Sequence, residues 1–175
     1  MTRLPDMPLA VRPTVAADAE AVSDLLRVCY TTLMEPGYPP GALDRVLPLM
    51  MRANPALLRS GRYYVVETAD GTPVGCGGWS LERPDAPNDP VDPTLGHIRH
   101  FGTHPDWLRR GVGAALIERC VVDARAAGVQ RFECYASLVA GEFYQSQGFR
   151  PLGPLDVRIA NGMVIPSLLM IRDRL

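Results

Sequence analysis

The spacing of apolar and polar residues changes several times along the chain, and each change marks an element. Leu9 to Val15 reads as an opening strand. From Asp18 the period lengthens: Ala21, Val22, Leu25, Leu26 and Cys29 fall on one face of a helix. Glu35 to Gly41 is a turn-rich break, and a second helix is expected from about Ala42 into the fifties, limited by Pro48 and Pro55. The period then shortens. Tyr63 to Glu67 and Pro73 to Leu81 read as a hairpin turning at Asp70-Gly71, followed by a long polar loop from Glu82 to Pro93. Leu95 to Thr103 is a strand, and Gly111 to Ala127 is a helix with Val112, Leu116 and Cys120 on one face, stopped by Gly128. A strand from Arg131 to Ala136 and a short helix from Ala140 to Gln147 follow. The tail is a hairpin, Leu155 to Ala160 and Met163 to Ile171, turning at Asn161-Gly162. The order β-α-α-β-β-β-α-β-α-β-β specifies a mixed α/β sheet with helices packed on it.

Composition narrows the class. At 175 residues the chain fits one domain, 1–175, with residues 1–7 expected as a flexible N-terminus. The net charge of -1 and the lack of a basic run argue against nucleic acid as a partner. No apolar stretch suits a membrane span or a signal peptide, so a cytoplasmic protein is expected. Cys29, Cys76, Cys120 and Cys134 form no C-x-x-C pair and have no histidine cluster nearby; they read as free thiols in a reducing compartment, with no metal.

The most informative segment is His104 to Leu116, where a strand runs into a glycine-bearing turn that opens a helix. The first N–H groups of that helix lack partners and its dipole adds positive potential, so an oxyanion fits there. Gly111 and Gly113 allow close backbone approach, and Arg109 and Arg110 add cationic donors. No Lys-Ser/Thr follows the glycines, which excludes a P-loop, and Leu116 stands where a dinucleotide fingerprint needs its third glycine. By itself a lone G-x-G at a helix start is a weak signal, read first as a tight turn needing small residues.

Arg109-Arg-Gly-Val-Gly-Ala114 resembles the CoA-pyrophosphate loop of the GNAT (GCN5-related) N-acetyltransferase family. Ala140-Gly-Glu-Phe-Tyr-Gln-Ser-Gln-Gly-Phe149 resembles the family's second signature, and Leu9-Ala-Val-Arg-Pro13 its opening strand. The resemblance implies an α/β (α+β) fold: a mixed, mostly antiparallel sheet of six to seven strands, splayed in the middle and flanked by about four helices. It implies acetyl-CoA as co-substrate, held by Phe101, Gly102 and Thr103 along a strand edge and by Leu108, Arg109, Arg110, Gly111, Val112, Gly113 and Ala114 at the phosphates. Ser137 takes the place of the family's frequent Asn, and Leu108 that of a usual Gln or Arg.

The implied activity is direct transfer of an acetyl group to a primary amine, with a small-molecule acceptor favoured, by a monomer or homodimer. Tyr144 matches the family's general acid. His97 is the expected base, directly or through water. Period-two alternation puts His97 and Arg99 on one face with Phe101 and Thr103, and His100 on the other; Glu67 and Glu133 are further carboxylates within reach of the cleft. The loop acids Asp85, Asp89 and Asp92 read first as a solvated surface loop and second as a draw for a cationic amine. Three readings stay open: a catalyst acting on a small or protein amine, a non-catalytic acetyl-CoA sensor, and an unrelated phosphate-binding α/β domain.

Overall fold

The computed structural model describes residues 8–175; the flexible N-terminus expected at residues 1–7 lies outside the described residues. In chain order the strands and helices are β1 (Ala10–Pro13), α1 (Ala19–Cys29), α2 (Leu47–Met50), α3 (Pro55–Leu58), β2 (Tyr63–Glu67), β3 (Pro73–Ser80), β4 (Leu95–Thr103), α4 (Val112–Ala126), β5 (Arg131–Ser137), α5 (Gly141–Ser146), β6 (Arg150–Arg158) and β7 (Val164–Asp173). The seven strands form one sheet in the order β1-β2-β3-β4-β5-β7-β6. Among the described residues every pairing is antiparallel except β4 with β5.

Two apolar clusters hold the layers together, one on each face. Beneath α4 lie Tyr64, Val66, Trp79, Phe132 and Met170, packed against Val112, Leu116, Ile117 and Cys120 of the helix. Beneath α1 lie Tyr63, Cys76 and Ile165, packed against Val22, Leu25, Leu26 and Cys29. Each fully buried aliphatic or aromatic side chain contributes about 1.5–3 kcal/mol, so the two faces together anchor the sheet. All four cysteines are buried free thiols.

Three expectations need correction. The helix expected from Ala42 reduces to the single turns α2 and α3 because Pro48 and Pro55 each remove a helical hydrogen bond, so each sits at a turn's start. The first helix instead runs on past Cys29 as one π-type turn, Tyr30–Met34. The tail hairpin begins earlier than expected, at Arg150, with Pro151 and Pro154 inside β6. That strand is the sheet's edge and carries a bulge between Pro151 and Gly153, the two settings in which a sheet tolerates proline.

Candidate active site

Strands β4 and β5 pair over only three positions, Leu95 with Arg131, Gly96 with Phe132 and His97 with Glu133. Beyond that point they part. The gap opens a cavity of about 1490 Å³ lined by Ile98 to Thr103 on one side and Cys134 to Ser137 on the other. The π-type turn contributes Tyr30, Leu33 and Met34 to its wall, and α4 and α5 contribute Gly111 to Ala114, Phe143 and Tyr144. The Tyr38 hydroxyl donates to the Pro166 carbonyl at 2.9 Å and accepts from the Leu138 N–H at 3.1 Å, tying the segment after the turn across the parted strands.

A bulge in β4 shapes the floor. Cys76 pairs with Gly102 and Gly78 with Arg99, so Gly77 alone faces both His100 and Phe101. His100 takes the left-handed φ of +48°. A Cβ on Gly77 would sit 2.4 Å from the Phe101 ring, so only glycine permits this packing. The bulge reverses the expected alternation. Ile98 and Phe101 both pack on the α4 side, and Gly102 faces Leu26 and Cys29 of α1. His97 and Arg99 therefore do not share a face with Phe101 and Thr103; they look toward the α1 side. His100, expected on the face opposite the cofactor residues, lines the cavity with them.

The N-terminus of α4 opens at the cavity's edge. Gly111 is its N-cap with φ +82°, and the helix's first bond runs from the Ala115 N–H to the Gly111 carbonyl at 2.9 Å. The N–H groups of Val112, Gly113 and Ala114 precede that bond and have no partner within the helix. With a helix of 15 residues behind them, they form an oxyanion cradle backed by a full dipole. Gly113 also governs packing, because a Cβ there would lie 2.7 Å from the Phe143 ring; the glycine lets α5 pack on α4. Of the residues expected to hold the cofactor, Phe101, Gly102, Thr103, Leu108, Arg109, Gly111, Val112, Gly113, Ala114 and Ser137 line the cavity. Arg110 does not; its guanidinium lies 4.9 Å over the Trp107 ring. The cradle can take an oxyanion, and the same cavity continues from it to the gap between β4 and β5.

Tyr144, on α5, lines the cleft. It is 6% exposed and ringed by Phe143, Phe149 and Phe101 at centroid distances of 5.0, 5.4 and 6.3 Å. Burial, reinforced by neighbouring Cys134, holds its pKa well above the usual phenol value, so the hydroxyl stays protonated. Cys134 is itself pushed up to about 12 by burial, so it is a thiol rather than a thiolate.

His97 is 3% exposed and outside the cavity lining. Its Nδ1 has no hydrogen-bond partner, and the 3.6 Å to Glu133 is too long to be one. Burial first, then Arg83 and Arg99, lower its pKa to about 4, so it is neutral near pH 7 and the Glu133 contact is not an ion pair. His100 is lowered to about 4 by burial and by Arg99. Glu67 is held by Arg12, at the far side of the sheet. The acidic loop is satisfied within its own surroundings: Asp85 and Asp89 pair with Arg83, and Asp92 with Arg131. Of its residues Pro84 reaches the cavity wall. Sequence reasoning missed Tyr30 and Arg52 as cavity residues and gave Arg99 no role; the π-type turn that carries Tyr30 and the bulge beside Arg99 leave no periodic signal.

The family model described as "Acetyltransferase (GNAT) family" matches residues 19–149. The chain belongs to the GNAT acetyltransferase family, and it is an acyltransferase by that membership. Among solved structures it is similar to a GCN5-related N-acetyltransferase from Rhodopseudomonas palustris, at 22% identity and TM-score 0.70, over 98% of this chain and 99% of that one. It is also similar to the PaiA N-acetyltransferase of Thermoplasma acidophilum in complex with coenzyme A, at 12% identity and TM-score 0.70, over 95% and 99%. A third, N-acetylglutamate synthase from Neisseria gonorrhoeae complexed with coenzyme A and N-acetyl-glutamate, gives 16% identity and TM-score 0.62, over 99% of this chain and 36% of that one. No curated protein sequence matches the chain significantly. No helix among the described residues is long and apolar enough to cross a membrane.

Proposed function

We propose that the protein is an acetyl-CoA-dependent N-acetyltransferase that acetylates a primary amine of a small molecule. The observation that carries this is the junction of three features at one cleft: parted strands, a helix N-terminus with free N–H groups, and a protonated tyrosine between them. Acetyl-CoA supplies an activated acyl group whose thioester carbonyl accepts an amine and releases a thiol.

The chain's residues divide the remaining work. The N–H groups of Val112, Gly113 and Ala114 hold the pyrophosphate, with Arg109 at the rim. The β4 edge from Phe101 to Thr103 pairs with the extended arm, as an added strand would, and a backbone N–H at the bulge polarises the carbonyl. Tyr144 donates its proton to the departing sulfur as the carbon–sulfur bond breaks. The proton lost by the amine nitrogen passes to water in the cleft, because His97 lies outside the cavity lining with a buried Nδ1 and a pKa lowered to about 4. A cavity walled by β4, β5, α4, α5 and the π-type turn favours a small acceptor over a protein chain, and the four buried thiols suit a reducing cytoplasm.

The test is a panel of small primary amines and short peptides with acetyl-CoA, read as released CoA thiol and product mass. Turnover of a small amine supports the reading. Binding of acetyl-CoA without turnover of any acceptor favours a sensor, and turnover of peptides alone favours a protein substrate.

A further inference from the structure

Arginines in this protein are generally either paired with a carboxylate or well exposed. Arg12, Arg27, Arg83, Arg119, Arg131 and Arg150 all have Asp or Glu partners. Two other half-buried arginines are otherwise engaged: Arg62 lies 4.5 Å over the Trp79 ring, and Arg172 donates to the Gln147 carbonyl, closing the end of α5. Arg99 is different. It is half-buried, it lines the cavity, and among the described residues its one hydrogen bond runs from Nη1 to Ser80 Oγ at 2.7 Å. Glu82 acts on it through space, without a direct ion pair. A guanidinium carries five N–H donors in a planar fork, so most of this one is unspent. Burying a cation without a paired counter-charge is costly, and that cost persists in a fold only where something offsets it.

The surroundings say what the partner would be. Arg99 stands immediately before the bulge, on the face of the sheet opposite α4, with Tyr135 in the facing wall of the cavity. Arg52, exposed at the rim, adds a second cation to the same cavity. Among the described residues the one carboxylate in the lining, Glu142, belongs to α5, and the loop acids are already paired with Arg83 and Arg131. The cavity therefore repels a polycation and offers an anion two donors of a fork.

We infer that the acceptor is an amine bearing a carboxylate, an amino acid or close analogue, and that Arg99 binds that carboxylate and sets specificity. The inference rests on the acyltransferase reading of the same cleft. A carboxylate seated on Arg99 brings an attached amino group to the point where β4 and β5 part, beside the bulge. The geometry of a guanidinium–carboxylate pair is bidentate, which orients the amine as well as binding it.

The test uses acceptors in matched forms: free carboxylate, carboxamide and decarboxylated amine. With wild-type protein and acetyl-CoA, the carboxylate form is expected to have the highest kcat/KM, by about 10- to 200-fold. Arg99→Gln should erase that preference chiefly through KM, and Arg99→Lys should restore part of it. In both variants the thermal stabilisation by acetyl-CoA should persist. Three results would overturn the inference while leaving the acyltransferase reading in place: preference for amines without a carboxylate, an unchanged preference ratio in Arg99→Gln, or no turnover of any carboxylate-bearing amine by protein that acetyl-CoA stabilises. Absence of that stabilisation in the wild type would remove the reading itself and the inference with it.

Discussion

Replacing Tyr144 with Phe removes one hydroxyl from the centre of the site and little else. The ring keeps its contacts with Phe101, Phe143 and Phe149, whose centroids lie 5.0 to 6.3 Å away. The stability change should therefore be small, within about 1 kcal/mol either way. The cradle at the start of α4 is untouched, so acetyl-CoA should stabilise the variant as it does the wild type. Turnover is another matter. General acid catalysis by a positioned side chain contributes about 10²- to 10⁴-fold, which is about 3–5 kcal/mol of barrier. The assay is thiol release under saturating acetyl-CoA and acceptor, so that kcat is read directly. Because burial raises the pKa of Tyr144, the wild-type phenol stays protonated through neutral and mildly alkaline pH. Any loss of rate in that range must come from another group. Equal kcat in Tyr144→Phe would refute the role assigned to the phenol, and a lost acetyl-CoA response would show that the residue supports binding instead.

Other perturbations give separate checks. Gly113→Ala would place a Cβ 2.7 Å from Phe143; overpacking of this kind costs about 1–3 kcal/mol, and both the melting temperature and the acetyl-CoA response should fall as α5 is pushed off α4. Gly111→Ala meets open space but keeps a φ of +82°; a left-handed alanine costs about 1–2 kcal/mol, visible as a lower denaturant midpoint. His97 has a folded pKa of about 4 against an ordinary 6.5, so between those values the unfolded chain holds a proton that the folded chain refuses. Stability should be complete above about pH 6.5 and fall toward pH 4, by on the order of 3 kcal/mol at most from this residue; urea midpoints across that range should show a shallower slope in His97→Gln. The same variant should leave both turnover near pH 7 and acetyl-CoA stabilisation close to wild type, since His97 stands outside the cavity lining.

Much of this arrangement is readable from the chain because local signals agree with the fold. The helix after Asp18, the hairpin at Asp70-Gly71, the helix opened at Gly111 and closed at Gly128, and the turn at Asn161-Gly162 all carry their own punctuation; Asn161 and Gly162 have φ of +64° and +72°, as that pair promises. The cofactor cradle is legible for the same reason, since glycine spacing and a helix start coincide there. What cannot be read is set by contacts between distant residues. The β4 bulge depends on Gly77 yielding space to Phe101; Gly102 suits a bulge from sequence alone, but the strand's period does not say where the extra residue falls. Without it, Arg99 and His97 are assigned to the wrong face. Strand β6 accepts Pro151 and Pro154 because it ends the sheet, and edge position is a property of topology. The acidic loop leaves attraction of an amine open because nothing in the sequence pairs its carboxylates with Arg83 and Arg131; the folded chain does.

The central claim is that the cleft between β4 and β5 is an acetyl-CoA site. It is tested most directly by thermal unfolding with acetyl-CoA, and with ATP and NAD as controls. A ligand binding only the folded state at about 100 times its Kd adds about 2.7 kcal/mol, which for a chain of this size raises the melting temperature by about 5–10 °C. The account predicts that rise with acetyl-CoA and little change with NAD or ATP. No rise with acetyl-CoA in folded protein, or equal rises with all three, would contradict it.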